Sequence, residues 1–227
     1  MSEQRYNVFN MIHKALRALF YDTAVTIQRT DFDQPEANAA IKKIEMVLQL
    51  LEEHSHHEDE FILPLVMTTN VELSNDFKKD HEVDHKLVED LLKQIEDWRN
   101  ATTAQQKIEA GSGIFMSFNE FIAFNLYHMN KEETLLLFAL WKQYTDEELL
   151  NTSQQIVAKI QPQTLAFESE WMIRSNSNQE IINWLMGVKL SGVERVYDQL
   201  LLSAKNILPA ERFNLIYKSL GSEMALS

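Results

Sequence analysis

The chain has 227 residues, of which 45% are hydrophobic, five are glycine and four are proline, a composition that favours long helices over turn-rich β folds. The formal charge of −13 disfavours nucleic acid as a partner, because phosphates would be repelled. The absence of cysteine excludes disulfides, thiolate metal sites and cysteine nucleophiles. The longest apolar run, Leu135–Trp141, is far shorter than the ~20 residues of a membrane span, and the first ten residues lack a signal-peptide layout. We therefore expect a soluble, cytoplasmic protein that has no membrane partner.

Four segments between residues 5 and 144 repeat apolar residues at steps of three and four, the spacing of amphipathic helices. Short polar connectors separate them. The predicted fold is therefore all-α, an up-down-up-down four-helix bundle. The stripes consist of Tyr6, Phe9, His13, Leu16, Phe20, Thr23 and Ile27; Ile44, Val47, Leu51, His54, Glu58, Phe61 and Leu65; Phe77, His81, Asp84 or His85, Val88, Leu92 and Ile95; and Ile114, Phe118, Phe121, Asn125, His128, Glu132, Leu135 and Ala139.

The remainder of the chain has a helical pattern in shorter pieces. Helices are expected over about 146–160, 163–173, 178–188, 190–205 and 209–220, separated by proline, glycine and an SNSN stretch. The sequence thus predicts a bundle over residues 1–145 and a C-terminal helical extension over 146–227. The role of the extension is unknown; it offers a surface for a homodimer or another protein partner.

Each of the four long helices carries a histidine on its apolar stripe. Residues four apart project from the same face of a helix, so a pair at that spacing can hold one ion. A single histidine at such a place is more often a hydrogen-bonded core residue. Two carboxylates buried among imidazoles, however, are costly without a cation, and we therefore predict a metal site. Its groups are His13; His54 with Glu58; His81 with His85; and His128 with Glu132.

The ligand types indicate the metal. Imidazoles with carboxylates and no sulfur suit iron, with manganese or zinc as alternatives. Seven protein ligands exceed what one ion normally takes, whereas two ions that share carboxylates would use all seven and leave a position open. The sequence therefore predicts a centre of two iron ions.

The second helix offers a competing pair, His56 with Glu60, at the same spacing as His54 with Glu58. Position 54 extends the apolar stripe, whereas position 56 extends a polar face. We therefore assign His54 and Glu58 as ligands. His56 and His57 are expected to face solvent or to lie beside the ligands.

Taken together, these motifs resemble the hemerythrin-like, or HHE cation-binding, family over about residues 5–144. The matching segments are His13, HSHHE at 54–58, HEVDH at 81–85 and HMNKEE at 128–133. The resemblance implies a non-heme di-iron centre with Glu58 and Glu132 as bridging carboxylates. It implies that the terminal ligands are His13, His54, His81, His85 and His128. Some members of the family place the carboxylate five residues after the last histidine, which makes Glu133 the alternative to Glu132.

The favoured function is a binding protein, rather than an enzyme, that binds or senses dioxygen or nitric oxide for storage, sensing or protection. One alternative is a ferritin-like di-iron oxidase or ferroxidase, a class that uses Glu-x-x-His on two helices. Glu53 with His56 and Glu82 with His85 match that spacing, but Glu53 and Glu82 lie on polar faces. A further alternative is an iron-repair or regulatory module that is read out through the C-terminal helices. The lack of cysteine weakens the repair role.

Overall fold

A computed structural model describes residues 5–223, and within this range the chain consists of helices and short connections, with no strand. The predicted all-α fold is therefore confirmed. Over the same range, no helix combines the length and the apolar character needed to span a bilayer. The α-helices are α1 Asn10–Gln28, α2 Ala37–His57, α3 Leu63–Met67, α4 Val71–Asn100, α5 Ala104–Lys131, α6 Leu137–Trp141, α7 Asp146–Val157, α8 Pro162–Ser175, α9 Asn178–Leu190, α10 Glu194–Ile207 and α11 Ala210–Glu223.

The chain divides into two compact units. The first contains Leu19–Lys159 together with the residues that precede Asn10, and the second contains Asn10–Ala18 and Ile160–Ser227. Helix α7 thus belongs with the first unit, and the beginning of α1 belongs with the C-terminal helices. The assignment of residues 146–227 as a separate domain stays a prediction.

Within the first unit, the long helices begin at side-chain caps. Asn70 accepts a hydrogen bond from the backbone N–H of Leu73 at the start of α4. Thr103 and Gln106 form a reciprocal capping box at the start of α5. Such caps satisfy backbone N–H groups that have no partner inside the helix, and so they fix where each helix begins.

Three long helical arms of this unit can be compared: the second arm, from α2 to α3; the third arm, α4; and the fourth arm, from α5 to α6. Close side-chain pairs give their directions. As residue numbers rise along α4, the numbers of the facing residues fall, so α4 runs antiparallel to α5 and to the arm that begins with α2. The order that includes α1, and with it the full up-down-up-down topology, stays a prediction. The pairs are His81 with His128 and Gln94 with Ser117 between α4 and α5, and Glu58 with His81 and Glu45 with Arg99 between the second arm and α4.

Two π-helical segments interrupt the bundle helices. Glu58–Ile62 joins α2 to α3, and Glu132–Leu136 joins α5 to α6. In a π turn the backbone N–H of residue i+5 donates a hydrogen bond to the carbonyl of residue i, so the turn contains one more residue than an α turn. The buried face beyond each segment is therefore displaced by one position relative to an uninterrupted α-helix.

This displacement corrects two of the predicted stripes. Beyond Glu58 the sequence pattern predicts Phe61 and Leu65 on the buried face, but the structure buries Ile62 and Val66. Beyond Glu132 it predicts Leu135 and Ala139, but the structure exposes Leu135 and buries Leu136 and Leu140. Both predictions are wrong by one residue because each ignored the extra residue of a π turn.

The second unit has a hydrophobic core of its own and a partly buried polar contact at the start of α9. Glu180 accepts hydrogen bonds from the Ser177 backbone N–H at 2.8 Å and from Asn10 Nδ2 at 2.8 Å, and it pairs with Lys14. Burial alone would raise the pKa of Glu180, but the bonds from Lys14, Asn10 and Ser177 outweigh it and lower that pKa to about 2. The fully buried core residues include Ile173, Ile181, Leu185, Ala204 and Ile216.

Candidate metal centre

Four of the predicted ligands meet in the interior of the first unit: Glu58, His81, His128 and Glu132. Each offers one ligand atom, and these atoms all lie within 4.8 Å of one another. The four residues are between 1% and 5% exposed. Glu58 and Glu132 are the first residues of the two π-helical segments, whereas His81 lies on α4 and His128 on α5. Three helical arms thus converge on one buried cluster of imidazoles and carboxylates.

His54 contacts the same centre through Glu58. Its Nε2 lies 3.1 Å from Oε1 of Glu58, and one ligand atom from each of His54, Glu58 and Glu132 lies within 4.8 Å of the others. The His54 side chain is 11% exposed. The competing residue His56 is 73% exposed, and its Nε2 lies 3.7 Å from Glu60 at the surface. The structure therefore buries the pair chosen from the apolar stripe and exposes the alternative pair.

Glu58 and Glu132 belong both to the group that contains His81 and His128 and to the group that contains His54. Oε1 of Glu58 faces His54, and Oε2 of the same carboxylate lies 3.7 Å from Nε2 of His81. Oε1 of Glu132 lies 3.2 Å from Nε2 of His128. Glu133, the alternative to Glu132, is only half-buried. A carboxylate whose two oxygens face different imidazoles has the geometry to bridge two cations.

Helix α4 presents Asp84, and not His85, to the interior. The buried residues Phe77, Asp84, Leu91 and Trp98 recur every seven positions, which keeps them on one face of the helix. His85 lies one position off this face and is exposed. The structure therefore does not bring His85 into the cluster, in contrast to the predicted pair of His81 with His85.

Asp84 itself is held by Asn125, whose Nδ2 donates a 2.6 Å hydrogen bond to Oδ1 of Asp84. Burial raises the pKa of the Asp84 carboxyl, and the hydrogen bond from Asn125 only partly opposes this effect.

The remaining two histidines differ in burial. His13 is completely buried on α1, in the segment Asn10–Ala18 that groups with the second unit, and its role as a ligand stays a prediction. His57 is half-buried. Its pKa is lowered, first by burial and then by the charges of His54 and His56. His57 is not a member of either cluster of possible ligands found among residues 5–223.

The charges of this cluster fit a bound cation. Burial opposes a charge on His81, but the hydrogen bond and the negative charge of Glu58 outweigh it, so the pKa of His81 is raised. Nε2 of His81 also lies 3.2 Å from Nε2 of His128. A cation between these groups would compensate two buried carboxylates and accept the lone pairs of both rings. Nitrogen and oxygen donors without sulfur suit iron, with manganese or zinc as alternatives.

Two further carboxylates, which the sequence patterns did not single out, contact the ring nitrogens that face away from the cluster. Asp59 contacts Nδ1 of His81, and Asp80 contacts Nδ1 of His128. The one available signal was their position, because Asp59 directly follows Glu58 and Asp80 directly precedes His81. Their contacts depend on which helices are neighbours, so no pattern within a single helix could have revealed them.

Comparison with known protein families matches residues 4–140, more than half of the chain, to the hemerythrin HHE cation-binding domain. No curated protein and no solved structure matches the chain. The family match covers all of the clustered histidines and glutamates, and the domain type binds metal ions, typically iron. It confirms the resemblance inferred from the four sequence motifs. The chain therefore belongs to the hemerythrin HHE cation-binding domain family.

Proposed function

We propose that this protein holds two iron ions at the buried cluster and uses them to bind dioxygen or nitric oxide for storage, sensing or protection. The observation that carries the proposal is the sharing of Glu58 and Glu132 by two groups of possible ligands. In this arrangement His81 and His128 would hold one ion and His54 would hold the other, and the sequence predicts His13 as a further ligand.

Counting ligands supports the binding of a small molecule. With His13 as predicted, two imidazoles and two shared carboxylates would supply four protein ligands to each ion, and iron sites of this type retain open positions for further ligands. Because His85 is exposed, the protein would not saturate either ion. When bound, iron would supply the open coordination position at which dioxygen or nitric oxide attaches.

The character of the ligands favours binding over oxidation of a substrate. Imidazoles are neutral, so a centre with two carboxylates carries less negative charge than a site of four carboxylates and stabilises the reduced ions better. The burial of the cluster keeps bulk water from the bound molecule. The ferroxidase alternative gains no support, since Glu82, His85 and His56 are exposed.

The reduced, iron-loaded protein should bind nitric oxide in proportion to its iron and bind dioxygen reversibly. The measurement is an absorption spectrum recorded during titration with nitric oxide, and during cycles of air exposure and removal of dioxygen under vacuum. Metal-free protein is the control and should show no change. Steady consumption of dioxygen coupled to oxidation of added Fe(II), at ~1 per second or faster, would contradict the proposal and indicate an oxidase.

A further inference from the structure

Asp59 and Asp80 each contact one imidazole ring of the buried cluster, at the ring nitrogen that faces away from the cluster. Oδ1 of Asp59 lies 3.0 Å from Nδ1 of His81, and Oδ2 of Asp80 lies 3.2 Å from Nδ1 of His128. Asp59 belongs to the first π-helical segment and Asp80 to α4. Each arm therefore holds an imidazole that projects from the next arm along the chain.

An ionised carboxylate can only accept hydrogen bonds, so the imidazole nitrogen that faces it must carry the proton. A neutral imidazole has one ring proton, and a proton at Nδ1 leaves a lone pair at Nε2. In water the neutral histidine side chain prefers the opposite tautomer, with its proton on Nε2. Asp59 and Asp80 therefore select the less common tautomer, in which Nε2 of His81 and Nε2 of His128 each carry a lone pair that can bind a cation.

The environment of His128 restrains the plane of its ring as well. The ring stacks on Phe124, with an angle of 8° between the planes, and packs edge-on against Phe77 with centroids 5.5 Å apart. Oδ2 of Asp80 also accepts a hydrogen bond from Lys131, and the Lys131 ammonium lies 5.1 Å from the centre of the Phe77 ring. Lys131 thus holds the carboxylate that holds His128.

We propose that Asp59 and Asp80 are positioning residues, which fix the Nδ1–H tautomer of His81 and His128 and so direct both Nε2 lone pairs at a single cation. This inference rests on the proposed metal-binding function. Asp59 and Asp80 would thus contribute to the metal affinity of the centre although neither is a ligand. Loss of a partner of this kind typically lowers metal affinity by about 10- to 100-fold.

The test compares Asp59→Ala and Asp80→Ala with Asp76→Ala. Asp76 is an exposed carboxylate one turn before Asp80 on α4, and it pairs with Lys79 at 3.4 Å. Correlated ¹⁵N–¹H NMR of the imidazole rings in metal-free protein, at a pH where both rings are neutral, reports which nitrogen carries the proton, and zinc affinity is measured separately. The wild type should show a proton at Nδ1 of both rings. Asp59→Ala should lose that signature at His81 alone, and Asp80→Ala at His128 alone, and each should weaken zinc binding by about 10- to 100-fold.

Two conservative variants separate positioning from a general loss of structure. Asp80→Asn keeps an acceptor oxygen without the charge, so Nδ1 of His128 should stay protonated. Lys131→Gln removes the cation and keeps Asp80, so the tautomer should again be unchanged. If Asp80 served only as the ion-pair partner of Lys131 between α4 and α5, Lys131→Gln and Asp80→Ala would change zinc affinity equally, and neither variant would alter the tautomer of His128.

The same measurements distinguish a wrong positioning role for Asp59 and Asp80 from a wrong metal-binding function. Protonated Nδ1 on both rings in Asp59→Ala and Asp80→Ala, with zinc affinity equal to that of wild type, would overturn the positioning role alone. Wild-type protein that binds neither iron nor zinc would overturn the proposed function. Loss of the Nδ1 signature together with weaker zinc binding in both alanine variants, and no effect in Asp76→Ala, is the result we expect.

Discussion

Replacing Glu58 by glutamine should remove the bound iron, whereas replacing Glu60 by glutamine should leave the iron content of the protein unchanged. Glu58 is 3% exposed, and its two oxygens face His54 and His81, so both proposed ions lose a ligand when it is neutralised. Glu60 is exposed and contacts His56 at the surface. The measurement is the amount of iron per chain after loading and desalting, determined by elemental analysis.

The affinity should fall by more than about 100-fold in Glu58→Gln, beyond the usual effect of losing a residue that only orients a ligand. The metal-free form of the same variant should be no less stable to urea than wild type, because an amide is less costly to bury among imidazoles than an ionised carboxylate. Equal loss of iron in the two variants, or loss in Glu60→Gln alone, would show that the second arm presents a different face to the centre.

Replacing Glu132 by glutamine should cause a comparable loss of iron, whereas Glu133→Gln should retain it. Glu132 is 1% exposed and lies 3.2 Å from Nε2 of His128, whereas Glu133 is only half-buried. Iron content per chain and zinc affinity measure the effect, with circular dichroism as the check that both variants keep their helices. Loss in Glu133→Gln with retention in Glu132→Gln would mean that the second π-helical segment shifts by one residue in the loaded protein.

The predicted apolar stripes include all of the clustered histidines and glutamates, because the apolar pattern around them is regular. Ile44, Val47 and Leu51 fix the face of α2, and that face continues through His54 to Glu58. The choice of His54 over His56 followed from this face alone, and the structure buries the residue that was chosen.

The same reasoning failed beyond Glu58 and Glu132, where the chain leaves α-helical geometry. The residues that follow are apolar at nearly every position, as in FILPL and TLLLFALW, so a displaced face is as hydrophobic as an undisplaced one. Periodicity could not reveal the π turns there. Their occurrence at both shared glutamates fits the general tendency of such turns to lie at functional sites.

On α4 the apolar stripe left Asp84 and His85 open, and His85 was chosen because its spacing from His81 is that of a ligand pair. The seven-residue recurrence of Phe77, Leu91 and Trp98 places Asp84 on the buried face, and the structure exposes His85. An aspartate is expected at the surface when only the sequence is known, because burying an unpaired carboxylate is costly. The side chain that lowers this cost, Asn125, comes from another helix and is recognised only in the structure.

The most direct test of the two-ion centre is a crystal structure of the iron-loaded protein, with anomalous scattering measured on both sides of the iron absorption edge. The proposal predicts two iron peaks about 3.5–4 Å apart, the separation usual for ions that share ligands. Both peaks should lie within bonding distance of Glu58 and Glu132, one of them beside His81 and His128 and the other beside His54. A single peak, or peaks located at His85 or at the surface pair of His56 and Glu60, would contradict it.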